Sequence, residues 1–223
     1  MCGRYQLDLT VKENFRERFD IENDLPEDLK SSWNIAPSQE QPVVVSNSPN
    51  RIEIMIWGLI PFWEEKKEKP HGLINVRDDS AINKKWAHKY LQEQRCIVPA
   101  TGFYEWAKLK EGKQPYNIKL KKQEYFGMAG IYSVTKHPTT GKEIYSYAIL
   151  TTSPNKVMEK IHNRMPVILR KEDESDWLSH DLYEIEDIAK FLKPYPGEEM
   201  EAYPVSTRVN SPSMNDSELP KNK

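Results

Sequence analysis

The chain has 223 residues, with 32 Lys and Arg against 34 Asp and Glu, so no global basic field draws it to nucleic acid and any such contact needs a local basic groove. Six Trp, eleven Tyr and six Phe argue against disorder, and the length fits one large domain or two small ones. Two cysteines, Cys2 and Cys96, are too few for a disulfide scaffold; no CxxC, HExxH or Cys/His cluster suggests a metal, no GxGxxG or GxxxxGK[ST] pattern suggests a phosphate cradle, and no apolar run suggests a signal peptide or membrane span.

In chain order, Thr10-Val11-Lys12-Glu13 reads as a capping box opening a helix whose Val11, Phe15 and Phe19 share one face. Val43-Val44-Val45 and the alternating Ile52 to Ile56 read as strands joined by the turn cluster 46–50. Residues 64–69 are a mixed charge run, most simply a solvated surface. A helix is expected from about Ala81 to Gln94, then a short strand at Cys96-Ile97-Val98. Strands follow around Tyr116 to Leu120, Gly127 to Val134, Ile144 to Thr151 and Met165 to Leu169, with a short helix at Ser153-Pro154. Helices are expected over roughly Glu172 to Ser179 and Leu182 to Leu192, and the polar stretch from Ser211 onward reads as a disordered tail. Strands with interspersed helices in no strict alternation predict an α+β domain with a mainly antiparallel sheet.

The N-terminus, Met1-Cys2-Gly3-Arg4, carries the most chemistry. Initiator methionine is normally removed before a small residue, which would leave Cys2 with a thiol and a free α-amine on neighbouring carbons. An α-amine titrates at about 7.7–8.0 and a cysteine thiol at about 8.5, and Arg4 nearby is expected to lower the thiol further. Such a pair can condense with an aldehyde to a Schiff base and close to a five-membered thiazolidine. The plain alternative is that position 2 is only what followed the start codon.

Four further stretches are oddly polar for their surroundings. Asn75-Val76-Arg77 follows the apolar Leu73-Ile74; Glu105 sits among Phe103, Tyr104 and Trp106; His162-Asn163-Arg164 lies where a helix meets a strand; and Trp57 and Trp63 bracket a Gly/Pro turn. A carboxylate among aromatics tends toward a raised pKa, which suits a general acid/base. Each has a structural alternative: Glu105 paired with a cation at a strand end, His162 capping a helix C-terminus, Asn75 in a turn, the tryptophans in the core.

Together these stretches are recognisable. Met1-Cys2-Gly3-Arg4-Tyr5, Trp33-Asn34-Ile35-Ala36-Pro37, the run Trp57 to Trp63, Asn75-Val76-Arg77, Cys96 to Ala100 with Gly102 to Trp106, and His162 to Pro166 occur in the order found in the SRAP family, the SOS-response-associated peptidases or abasic-site processing proteins, which the chain resembles from Cys2 to about Val209. One stretch departs: the family usually continues its Asn-Ala-Arg run with Ala-Glu-Thr, where this chain has Val76 and Asp78-Asp79-Ser80, adding acidity beside expected DNA contacts.

The resemblance implies a single SRAP domain over 1–210, a sheet-rich, barrel-like α+β body with flanking helices, and a tail over 211–223. It implies covalent capture of the ring-opened abasic site in single-stranded DNA by Cys2 through a thiazolidine, shielding the lesion in the DNA damage response. In the implied roles Glu105 is the acid/base, His162 and Asn75 hold the sugar, Arg4, Arg77 and Arg164 meet flanking phosphates, and Trp57, Trp63 and Trp106 support stacked bases. No cofactor, metal or membrane is implied; the expected protein is monomeric and cytoplasmic, associating with the nucleoid when engaged on DNA. A thiol peptidase or autopeptidase using Cys2, with lyase-like chemistry at the same residue, is a second possibility. A non-catalytic reader of damaged or modified bases is a third.

Overall fold

The computed structural model describes residues 2–46, 49–67 and 70–222. Met1, two residues of the 46–50 turn and the end of the 64–69 charge run lie outside the described residues. In chain order the elements are β1 (Tyr5–Leu7), α1 (Lys12–Arg18), β2 (Ser32–Ile35), β3 (Glu40–Ser46), β4 (Asn50–Trp57), β5 (Asn75–Arg77), α2 (Asp78–Asn83), α3 (Lys85–Glu93), β6 (Arg95–Ala100), β7 (Gly102–Leu109), β8 (Gly112–Leu120), β9 (Phe126–Lys136), β10 (Glu143–Thr152), β11 (Met165–Pro166), α4 (Glu174–Leu178), α5 (Ile185–Ile188) and β12 (Met200–Pro204).

Strands β10, β4, β3, β6 and β9 pair in a closed ring, because β9 pairs back to β10. Four of these pairings are antiparallel and β4–β10 is parallel. A second sheet, ordered β12-β8-β7-β1-β2, is antiparallel throughout. The α+β expectation of a barrel-like body with flanking helices is therefore met, and no helix among the described residues is long and apolar enough to cross a membrane.

Two local events shape the functional end of β10. Gly58 ends β4 with φ 141°, a conformation costly for any residue with a Cβ, and Gly72 passes so close that an added Cβ would lie 2.7 Å from the Gly58 carbonyl oxygen. This close crossing lets β5 take over beside β10, pairing Asn75 with Ile149 and Arg77 with Thr151 in parallel. On the other flank β9 pairs with β10 only from Gly130 onward, and residues 165–169 fill the gap beside 127–129: Thr151 pairs with Pro166, and Val167 bonds both Leu150 and Ala129. The Asn75 and His162 segments are thereby brought to one end of one strand.

Tyr5, Trp57 and Tyr147 join the two sheets. All three are fully buried, the hydroxyls of Tyr5 and Tyr147 are 2.7 Å apart, and Tyr5 meets Trp57 edge-on at 5.1 Å. Full burial of one large apolar side chain stabilises a fold by about 1.5–3 kcal/mol, so this trio is a principal weld between the sheets.

Several expectations are corrected. The capping box does not form: Val11 stands at the N-cap without a side-chain bond and is half exposed, although Phe15 and Phe19 are buried. The helix expected over 81–94 is two helices broken at Lys84, whose backbone is extended. The short helix expected at Ser153-Pro154 is a 3-10 turn over Met158–Lys160. The segment from Ser211, expected as a disordered tail, packs on the five-stranded sheet: Leu219 is buried beside Tyr104, and the Asn215 side chain accepts the Trp33 N–H at 2.7 Å.

Candidate functional site

Cys2 enters the fold as an extension of β1. The Tyr104 N–H donates to the Arg4 carbonyl at 2.9 Å, and the Asn75 amide donates to the Cys2 carbonyl at 2.8 Å. Cys2 is fully buried, with its Sγ 3.7 Å from the Arg4 carbonyl oxygen. Burial pushes its thiol well above the ordinary cysteine range, and the Glu105 charge pushes it the same way. The expectation that Arg4 lowers this pKa is overturned, because the guanidinium turns away to bond the Asn34 side chain and the Val209 carbonyl, each at 2.8 Å.

Glu105 lies in β7, opposite Tyr116 of β8, and is 3 % exposed. Strand alternation sends it to the face opposite Tyr104. Burial raises its carboxyl above the usual carboxylate range, opposed in part by the nearby His162 ring. His162 follows the 3-10 turn, and its Nδ1 lies 4.0 Å from a Glu105 oxygen. That Nδ1 also faces the Arg164 N–H at 3.1 Å and the Arg164 carbonyl oxygen at 3.3 Å.

The arginines are less available than expected. Arg164 donates to the Asp78 carboxylate at 2.7 Å and to the Thr151 carbonyl, with its side chain 12 % exposed. Arg77 forks the Asp79 carboxylate at 3.1 and 2.7 Å in a solvent-exposed pair. Both partners come from the Asp78-Asp79-Ser80 departure. Among the described residues, Asn75 Oδ1, Arg4 Nε and Arg164 Nε are buried without a hydrogen-bond partner, a rare condition for polar atoms away from a ligand site.

The tryptophans divide three ways. Trp57 is fully buried, its N–H bonded to the Ile74 carbonyl at 2.9 Å, so it has no face to offer a base and the platform expectation is corrected. Trp63 is exposed, edge-on to Phe62 and Trp86. Trp106 lines the cleft, with Arg4 over its ring and its N–H bonded to Asn210 at 2.7 Å.

A cleft of about 610 Å³ opens over Glu105, Trp106, His162 and Asn163, and its rim carries Lys108, Lys113 and Lys160. Residues 159–161 separate it from a trough of about 1030 Å³ walled by Tyr116, Tyr195 and three prolines. Lys108 and Lys113 stand directly opposite each other across β7 and β8, a like-charge pairing that costs stability. The sequence hint to these lysines is their symmetrical placement about the Lys110-Glu111 turn. Among the described residues no group of His, Cys, Asp and Glu has the arrangement of a metal site.

Comparison with known proteins shows the family and the fold. The model of the family described as SOS response associated peptidase (SRAP) matches residues 1–212. The chain is 40% identical over 222 residues to the abasic site processing protein YoqW of Bacillus subtilis, covering 98% of each. It is 31% identical over 211 residues to the abasic site processing protein HMCES of Xenopus tropicalis, covering 81% of this chain and 62% of that protein. A solved protein of Bacteroides thetaiotaomicron superposes with a TM-score of 0.88 at 29% identity over 100% of both chains.

Proposed function

The chain belongs to the SRAP family, and from that premise we propose that it processes abasic sites in single-stranded DNA by covalent capture at Cys2, once Met1 has been removed. The observation that carries the proposal is a buried Glu105 lining a cleft that also carries three lysines, near enough to the buried Cys2 for its charge to raise the thiol.

The steps follow from the chemistry of the groups. The abasic sugar is a cyclic hemiacetal; Glu105 in its acid form donates a proton to the ring oxygen while the C1′ hydroxyl loses one, giving the open-chain aldehyde. The Cys2 amine adds to C1′ and water leaves, giving a Schiff base. The thiol sulfur then bonds to C1′ and its proton passes to the nitrogen, closing the thiazolidine. A thiol kept protonated by burial suits this order, in which the amine attacks first. It suits a thiolate-dependent peptidase poorly, because the thiolate is the nucleophile there.

Asn75 Oδ1 offers an acceptor, and the His162 ring in the cleft a further polar edge, for the sugar hydroxyls. Lys108, Lys113 and Lys160 supply a local positive potential that the net charge hides, and Arg77 and Arg164 are further candidates for phosphate contact. Trp106 and Trp63 are the aromatic surfaces suited to flanking bases. The direct test is incubation with single-stranded abasic DNA and a denaturing gel: a heat-stable adduct is expected, with intact mass showing loss of Met1. No adduct from the Met1-less protein would overturn the proposal.

A further inference from the structure

The two ends of the described chain meet on one face of the five-stranded sheet, and Asn34 joins them. Asn34 is 1 % exposed. Its Oδ1 accepts from Arg4 Nη1 at 2.8 Å, while its Nδ2 donates to the carbonyls of Val209, Ser211 and Met214 at 3.3, 2.9 and 2.6 Å. An amide is the one small side chain that meets a guanidinium and a set of carbonyls at once, with its acceptor end toward the cation and its donor end toward the oxygens. Arg4 Nη1 also donates to the Val209 carbonyl, so its protons are fully used.

Only Gly3 separates Arg4 from Cys2, and glycine imposes little conformational preference of its own. The position of Cys2 therefore depends on its anchors: Asn75 on the Cys2 carbonyl, and Arg4 on the other side of the glycine. The anchor of Arg4 is in turn backed by the C-terminal segment, which Asn117 holds through the Pro220 carbonyl and Trp106 holds through Asn210. We propose that Asn34 is a positioning residue for Cys2, acting through Arg4 and backed by the C-terminal segment 205–222. Arg4 on this account works inward, to orient the reactive residue, and not on phosphate.

The inference rests on the capture chemistry proposed above, so its test has an arm that needs no chemistry. Two variants separate the links. Asn34→Ala removes both; Asn34→Asp keeps an acceptor for Arg4 but loses the donors to the three carbonyls. With saturating single-stranded abasic DNA, Asn34→Ala is expected to form adduct about 10–100-fold more slowly, the cost of a modest misplacement of a reacting group. Its affinity for a strand bearing a non-reactive abasic analogue should stay within about twofold, since no strand contact is removed. Asn34→Asp should recover most of the rate while residues 211–222 exchange their amides faster. Without any DNA, the Tyr104 amide that holds the Arg4 carbonyl should exchange faster in Asn34→Ala than in wild type or Asn34→Asp.

Wild-type adduct rates in Asn34→Ala, a rate loss that follows strand affinity or melting temperature, or equal defects in both variants would each overturn the inference. If the wild type forms no adduct, the functional proposal fails and the Tyr104 exchange alone decides this one: no acceleration sinks it.

Discussion

Asp78 and Arg164 form an ion pair of 2.7 Å across the end of β10, with both side chains largely buried and Thr151 beneath them. Asp78 leaves β5 immediately after Arg77, and Arg164 precedes β11, so the pair ties the segment bearing Asn75 to the segment bearing His162. It also means that a phosphate approaching Arg164 meets a guanidinium already partnered.

A first prediction concerns these arginines. Arg77→Ala removes a solvent-exposed cation whose pair contributes little to stability, so melting should be unchanged. Its salt slope for single-stranded DNA should fall by roughly 0.7 if it meets one phosphate. Arg164→Ala should also destabilise the fold by about 1–3 kcal/mol, because Asp78 is left without its partner. Asp78→Asn should raise strand affinity at low salt. Binding titrations at several salt concentrations beside denaturant melts separate these effects; an unchanged slope in both arginine variants would place the groove elsewhere.

Lys108 and Lys113 lead to a prediction with opposite signs for stability and binding. Lys113→Gln relieves a directly opposed like-charge pair, which should stabilise the hairpin by about 0.2–1 kcal/mol. The same change should weaken binding to single-stranded DNA and reduce its salt dependence. Stability gained with affinity unchanged would mark the pair as ordinary surface.

Glu105→Gln should slow capture by about 10²–10⁴-fold while strand affinity holds, and a substrate with its aldehyde already open should partly restore the rate. Stability moves the other way. Because the folded carboxyl is raised above its ordinary 4.5, the protonated form is favoured, and its stabilising contribution is lost as pH rises through the folded value. Glu105→Gln should therefore melt higher than wild type at neutral pH, with the difference shrinking as pH falls toward 4.5. Single-turnover rates and melts across pH check both; a wild-type rate in Glu105→Gln would leave a structural carboxylate.

The fourth prediction concerns the thiol. Burial keeps Cys2 protonated, so alkylation in the folded, DNA-free protein should be much slower than in denaturant at the same pH. Cys2→Ala retains an amine but cannot close the ring, so any adduct should be a labile Schiff base. A heat-stable adduct from Cys2→Ala would exclude the thiazolidine.

Much of this was legible in the chain, and the rest was hidden for identifiable reasons. The long barrel strands announce themselves as apolar runs between turn clusters, and all of the site motifs stand in the sequence. Strand β5 does not announce itself: three residues become a strand only because Gly58 and Gly72 cross closely enough to deliver them to β10. Arg95 gave no signal as a buried residue, yet its guanidinium gathers the carbonyls of Leu91, Gln92, Trp177 and Ser179, an arrangement only tertiary folding creates. Polar composition makes the stretch 211–223 read as a tail, whereas the docking of its described residues depends on backbone carbonyls, which composition does not encode. The residue types of Arg4 and Trp57 do not reveal their surroundings: bonds to Asn34 and the Val209 carbonyl turn Arg4 inward, and burial closes Trp57 off.

The docking of Asn215 on Trp33 has a consequence for solubility. The ring of barrel strands closes on itself, but the five-stranded sheet ends at β2, a margin with no further strand among the described residues. The Asn215 side chain occupies the Trp33 N–H on that margin, and the neighbouring carbonyls of Ser211 and Met214 are engaged by Asn34. Proteins commonly guard such margins against strand addition, and here the guard is the last stretch of the chain. Removing residues 211–222 should expose β2 to strand addition, seen as self-association whose onset depends on concentration.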